Sequence, residues 1–251
     1  HKQEFFGGKM TSTISLDKYK KILYGNDFVD YCGSVSRVVG LTIESDRPQA
    51  SIGDLCKIYT TTKKVVDAEV VGFKENKVLL MPLGDMAGIS PGSIIKATGG
   101  RLKVKVGKQL IGRVLNGMGI PIDGKGGIDS DEYYPVENTP PDPMTRKRIS
   151  NPLPLGVKAI DGLLTIGKGQ RVGIFAGSGV GKSTLMGMIA RNTKADINVI
   201  ALIGERGREV REFIEKDLKE DGLARSVVVV ATSDQPALIR LKGAMVATAI
   251  A

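Results

Sequence analysis

The 251-residue sequence has no tryptophan, one histidine and two cysteines. The histidine is His1, at the terminus, so histidine-based acid–base chemistry and a Ser-His-Asp triad are excluded. Cys32 and Cys56 are far apart and lack nearby histidines, so they cannot build a zinc cluster. In a cytosolic chain both are expected to be reduced and structural. Aromatic residues make up 5%, which leaves little to stack the bases of a single-stranded nucleic acid. No apolar run approaches the ~18 residues of a membrane-spanning helix. The N-terminus shows no secretory signal, so the cytoplasm is the expected compartment. Residues 1–9 precede the first methionine, Met10, and read as a remnant of cloning.

What is present is ordinary for a globular protein: 41% hydrophobic and 25% charged residues. The length fits two domains at ~150 residues each. Net charge is +9, with basic clusters at Lys18-Tyr19-Lys20-Lys21, at Arg101, Lys103, Lys105 and Lys108, and at Arg146-Lys147-Arg148. Such charge permits contact with nucleic acid or an acidic membrane without requiring either, and each cluster reads first as a solvated face.

Three textures divide the chain. Residues 28–98, after a tail at 1–27, read as short strands with frequent turns. Segments 65–73 and 77–81 flank the turn Lys74-Glu75-Asn76, and another turn at 89–93 precedes a strand at 94–97. Closely spaced short strands predict a small barrel or sandwich filled by its own side chains. Residues 99–170 are loop-rich. One helix is expected at 108–115, with Leu110, Ile111, Val114 and Leu115 on one face, ended by Asn116-Gly117. Six of the eleven prolines fall between Pro135 and Pro154, which predicts an irregular surface crossing. From 171 onward strands and helices alternate. Expected are a strand at 171–176, a helix through Leu185, Met188 and Ile189, a buried strand at 197–203, a charged helical stretch at 210–219 and a buried strand at 226–231. A last helix is to be capped by Ser233 or Asp234, with Pro236 in its first turn. Residues 99–251 thus predict a parallel α/β sheet with right-handed crossovers.

Between the first of these strands and its helix lies Ala176-Gly177-Ser178-Gly179-Val180-Gly181-Lys182-Ser183. Glycines there let backbone N–H groups converge on phosphate oxygens, and the helix N-terminus adds unpaired donors. Gly177, Ser178, Gly179, Val180, Gly181, Lys182, Ser183 and Thr184 are the candidate ATP contacts. Lys182 would reach the β- and γ-phosphates and the Ser183 hydroxyl would ligate Mg²⁺. Ala176 stands where the common pattern has glycine. A dinucleotide-binding turn fits less well, because the third glycine comes one position early and a lysine follows. Asn76-Lys77 lacks the guanine-reading aspartate two residues on, and Gly167-Lys168-Gly169-Gln170 is no transporter signature.

Gly204-Glu205-Arg206-Gly207-Arg208-Glu209 follows the second buried strand, and parallel sheets gather their sites at strand C-terminal ends. Glu205 there could orient an attacking water and Arg206 could hold phosphate charge. A solvated helix-capping cluster is the plainer reading of the same residues.

The runs at 156–164, 167–170 and 173–183 resemble the ATPases of type III protein secretion. So do Ala201-Leu202-Ile203-Gly204-Glu205-Arg206-Gly207-Arg208-Glu209-Val210 and Val230-Ala231-Thr232-Ser233-Asp234-Gln235-Pro236. Ala50-Ser51-Ile52-Gly53-Asp54-Leu55-Cys56, Met81-Pro82-Leu83-Gly84, Gly112-Arg113-Val114-Leu115 and Pro121-Ile122-Asp123-Gly124-Lys125-Gly126 are similar to the flagellar branch. The resemblance implies a small N-terminal β-barrel followed by a RecA-like P-loop NTPase domain, truncated here at its C-terminus. It implies ATP hydrolysis with Mg²⁺ that energises flagellar protein export at the cytoplasmic face of the inner membrane. It assigns catalytic roles to Lys182, Glu205 and Arg206. Arg208 and Glu209 match with roles less defined. Expected partners are a stator-like regulator that binds near residues 10–27, a central stalk protein, export chaperones with their substrates, the export gate and, in the full-length protein, five further copies in a hexamer. No nucleic acid is expected. The family continues past residue 251 with a Mg²⁺-supporting aspartate strand, an arginine finger and a helical domain. The chain therefore reads as a fragment with an unpaired sheet edge, weak nucleotide binding and poor turnover. The alternatives are a virulence secretion ATPase, a rotary ATP synthase subunit and a nucleic-acid translocase of the same fold.

Overall fold

The computed structural model describes residue 16 and residues 32–46, 49–177 and 179–251. The expected regulator-binding tail therefore lies outside the described residues. Six strands form the first unit: β1 (Cys32–Val39), β2 (Thr42–Ser45), β3 (Asp54–Tyr59), β4 (Val65–Lys74), β5 (Lys77–Pro82) and β6 (Ile94–Arg101). They close into an antiparallel barrel in the order β1-β2-β5-β4-β3-β6. Period-2 alternation sets its inside and outside. In β5, Val78, Leu80 and Pro82 point inward while Lys77, Leu79 and Met81 are half-buried. Val35, Ile43, Cys56, Ile58, Ala68, Val70, Leu80 and Ile95 fill the interior. Closure removes the edges that an open sheet of this size would expose. The turn between β4 and β5 falls where the sequence signals it, with Lys74 opposite Lys77.

The second unit is a parallel sheet in the order β10-β11-β8, from β10 (Asn198–Ile203), β11 (Ser226–Ala231) and β8 (Val114–Asn116). Every residue of β11 is buried. Val227 and Val229 face one core, with Leu115 and Val246, and Val228 and Val230 face another, with Ala190, Ile200 and Phe213. Burying one valine yields roughly 1.5–3 kcal/mol, more than the ~1 kcal/mol that the whole strand-preference scale spans. Two-sided burial therefore places this strand. Helix α1 (Lys158–Leu163) precedes the glycine loop and α2 (Lys182–Asn192) follows it. The charged stretch forms α3 (Gly207–Glu212), a π-helical turn at Phe213–Leu218 and α4 (Lys219–Leu223). Helix α5 (Ala237–Ile250) packs on β10 and β11. A two-stranded ribbon of β7 (Lys103–Lys105) and β9 (Tyr133–Pro135) flanks β8 in sequence.

Three local expectations are corrected. Residues 108–115 are not a helix: a 3-10 turn spans Lys108–Leu110 and Val114 enters β8. Gly112 adopts φ +80 and donates its N–H to Ser226 O at 2.8 Å, which breaks a helix and aligns the next residues on β11. Leu110 and Leu115 are buried in this arrangement, so apolar spacing alone does not separate the two forms. Residues 171–176 are extended but belong to no ladder, and among the described residues the outer edge of β10 is unpaired. A cavity of about 360 Å³ separates Val172 and Ile174 from β10, and Phe175 is 96% exposed. Neither Ser233 nor Asp234 caps α5. Pro236 holds the cap position without a side-chain bond, and the helix starts at Ala237, four residues past Ser233, whose N–H donates to Glu205 O at 3.0 Å.

Leu83 of the barrel packs with Ala231 and Ile239, which joins the two units through a small apolar cluster. The bidentate pair Arg113–Asp123, at 2.7 and 2.9 Å, locks the loop that follows β8.

Candidate functional site

The chain leaves its extended segment through a glycine turn. Gly179 and Gly181 adopt φ +77 and +91, where an L side chain is strained, and no atom lies within 4 Å of where their Cβ would stand. Ser178 lies outside the described residues. Gly181 is the N-cap of α2 and contributes no side-chain bond, so the first N–H groups of this 11-residue helix point into the turn without an intrahelical partner. Partial positive charge collects at this end, beside the Lys182 ammonium and the Ser183 and Thr184 hydroxyls.

A cleft of about 410 Å³ opens over this end of α2. Its opposite wall carries Glu205, Glu209, Glu212 and Asp217. Lys182, Ser183, Glu205 and Glu209 also line the adjoining 360 Å³ cavity. The fold thus brings the glycine turn and the Glu205 segment, which follows the C-terminal end of β10, to one crevice. Glu205 is held through its backbone: its carbonyl accepts from Ser233 N–H, and Gly204 N–H donates to Ala231 O at 2.7 Å. Arg206 does not line the cleft. Its guanidinium pairs with Glu209 at 3.6 Å and is 67% exposed.

Glu212 and Asp217 were not singled out from the sequence. The available signal was spacing: Glu205, Glu209 and Glu212 are separated by four and three residues, the spacing that puts side chains on one helical face. The π turn at Phe213–Leu218 then widens the helix and presents Asp217 to the same cleft. Helix α2 approaches this turn closely, since a Cβ on Gly187 would stand 2.5 Å from Asp217 O.

One wall is cationic and donor-rich and the other is anionic. A phosphate chain suits the first wall, and a hard divalent cation coordinated by oxygen suits the space between them. No group of three or more His, Cys, Asp or Glu that could cage a metal occurs among the described residues. Mg²⁺ fits that donor set, because it keeps waters and takes phosphate oxygens beside one or two protein ligands. A larger cavity of about 520 Å³ lies between the barrel and the start of α5, lined by Leu41, Met86, Asp234 and Pro236 among others. It contains neither glycine turn nor lysine, so donor chemistry and not volume selects the site.

Two family models match. Residues 35–99 match the beta-barrel domain of the ATP synthase alpha/beta family, and residues 156–251 match its nucleotide-binding domain. The flagellum-specific ATP synthase of Bacillus subtilis (strain 168) is 62% identical over 221 residues, covering 87% of this chain and 50% of that protein. The type 3 secretion system ATPase of Xanthomonas euvesicatoria is 52% identical over 220 residues, again 87% of this chain and 50% of that protein. Among solved structures, the assembled ATPase EscN in complex with its central stalk EscO, from the type III secretion system of enteropathogenic E. coli, superposes with a TM-score of 0.80. That match has 44% identity and covers 87% of this chain and 53% of that one. The chain spans about half the length of the curated relatives it matches. By its barrel, its parallel sheet and both family models, the chain belongs to the ATP synthase alpha/beta family.

Proposed function

We propose that this chain is the barrel and nucleotide-binding portion of an ATPase that energises type III protein export, of the flagellar branch. The observation that carries the reading is the glycine turn at the N-terminus of α2, facing the Glu205 and Glu209 carboxylates across one cleft. The flagellar branch draws support from the 62% identity to the Bacillus subtilis protein. We divide the chain into a tail at 1–27, a barrel domain at 28–98 and a RecA-like domain at 99–251.

In this reading the backbone of 177–181 and the N-terminus of α2 cradle the phosphates, Lys182 neutralises the β- and γ-phosphates, and Ser183 ligates Mg²⁺. Bound Mg²⁺ supplies charge neutralisation of the phosphate oxygens. Glu205 orients the attacking water, with its backbone fixed by Ser233. Arg206 meets phosphate only after leaving Glu209, so its role as a phosphate sensor entails a side-chain rearrangement. The proposed assembly is a homohexamer around a central stalk, with a stator-like regulator, chaperones and an export gate as further partners, at the cytoplasmic face of the membrane. No helix among the described residues is long and apolar enough to cross a membrane.

The test is titration of the chain with a fluorescent ATP analogue and Mg²⁺, beside Lys182→Ala. The expected result is saturable binding that weakens at least about tenfold in the variant, close to 1.4 kcal/mol. A folded wild-type chain that binds no nucleotide overturns the reading.

A further inference from the structure

Charge is buried where the barrel meets the parallel sheet. The Lys242 side chain, on α5, is 3% exposed, with Nζ 2.6 Å from Glu137 Oε1 and 2.7 Å from Glu69 Oε2. Glu69 belongs to β4 of the barrel and Glu137 follows β9. Glu137 accepts a hydrogen bond from the Lys242 ammonium, and Glu69 pairs with the same ammonium across 2.7 Å. Arg101, the last residue of β6, stands 3.5 Å from Glu137. Burial pulls the Lys242 ammonium toward neutrality, but the two carboxylates outweigh it and its pKa is raised. The hydrogen bond from Lys242 lowers the pKa of Glu137 against the effect of burial. Lys242 and Glu137 both stay ionised at neutral pH. Buried ion pairs add little net stability, since desolvation offsets attraction, and fixing one register is their better-attested use.

What this register fixes can be followed along α5. The helix begins at a tight turn: Gln235 N–H donates to Thr232 O at 3.0 Å and Arg240 N–H to Pro236 O at 3.2 Å. The same turn carries the Ser233 N–H that holds Glu205 O. Helix α5 and the turn before it thus connect a barrel-anchored ammonium to the backbone support of the cleft's carboxylate.

We propose that Lys242, Glu69 and Glu137 form an ionic clamp between barrel and nucleotide domain, and that Lys242 is a positioning residue for Glu205, acting through α5 and the Ser233 amide. Only its catalytic consequence rests on the reading of Glu205 given above. Barrel displacement then reaches the cleft through α5.

Residue-resolved hydrogen exchange on the whole chain tests the clamp, with Lys242→Met and with the triple variant Glu69→Gln/Lys242→Met/Glu137→Gln. The triple variant is decisive, because it keeps side-chain volume and leaves no unpaired buried charge. We expect the Ser233 amide to exchange about tenfold faster in it while the β11 amides keep wild-type rates, the signature of local opening. A folded triple variant whose Ser233 amide exchanges at the wild-type rate overturns the proposal. Equal acceleration of Ser233 and β11 does so too, since it assigns the clamp to global stability. Nucleotide titration of the same wild-type sample reads the phosphate site separately, so its failure leaves the exchange result standing.

Discussion

Helix propensity and tertiary contact give opposite signs at Gly187. Alanine is favoured over glycine in a helix interior by ~1 kcal/mol. At Gly187 the new Cβ would stand 2.5 Å from the carbonyl oxygen of Asp217 and 2.7 Å from its carbon, both backbone atoms that cannot rotate away. Ordinary contact begins at 3.4 Å, so α2 must withdraw from the π turn by close to 1 Å. Overpacking of this kind costs typically 1–3 kcal/mol. After the propensity gain, Gly187→Ala should lose up to about 2 kcal/mol. The internal control is Gly162 in α1, which has open space around its Cβ position and no positive φ. Gly162→Ala should gain about 0.5 kcal/mol. Urea unfolding reads both: with a slope near 2 kcal/mol/M, the midpoint should fall by up to about 1 M for the first and rise by about 0.2 M for the second. Lys182 and Ser183 ride on α2, so nucleotide affinity should fall with Gly187→Ala even where the protein stays folded. A Gly187→Ala chain that is more stable than wild type would refute the close packing of α2 on the π turn.

Two further outcomes follow from buried polar groups. Asp123, hydrogen-bonded by Arg113, has its carboxyl well below the ordinary carboxylate range, so its contribution to stability is present above pH 3.8 and is lost as pH falls further. Asp123→Ala leaves the guanidinium with only the Gly126 and Gly127 carbonyls as partners and should cost about 1–3 kcal/mol, and Asp123→Asn should flatten the acid limb of a pH–stability profile. An unchanged acid limb would count against the lock. Burial, helped by the charge of Asp54, pushes the Cys56 thiol up to about 11, while Cys32 is exposed. A thiol reagent at pH 8 should therefore label one cysteine in the folded chain and two after unfolding, read by mass. Two labels on folded protein would contradict the closed barrel core.

The elements legible in the sequence are those whose burial is symmetric or strictly alternating. Residues 227–231 are apolar throughout because both faces of β11 are covered. The β4–β5 hairpin is legible from alternation around a short turn. The phosphate loop is legible because its chemistry is local: glycines, a lysine and a hydroxyl within eight residues at a helix start.

The parts that were not legible depend on partners distant in sequence. Residues 108–115 carry helical spacing, yet Gly112 and the edge of β11 turn them into a strand. Residues 171–176 carry strand composition, yet a strand needs a neighbour, and none among the described residues pairs with them. Ser233 has the chemistry of a helix cap, but the helix begins only at Ala237, with Pro236 at the cap position. Asp217 joins the cleft only through the π turn, and Lys242 meets Glu69 and Glu137 from 173 and 105 positions away. The sequence alone determined where backbone donors, glycines and continuous apolar runs lie, because those follow from neighbouring residues. Only the tertiary structure decided which edge pairs with which, which carboxylates face the phosphate loop and where a buried charge finds its partners, because each of those energies depends on groups that the chain brings together only on folding.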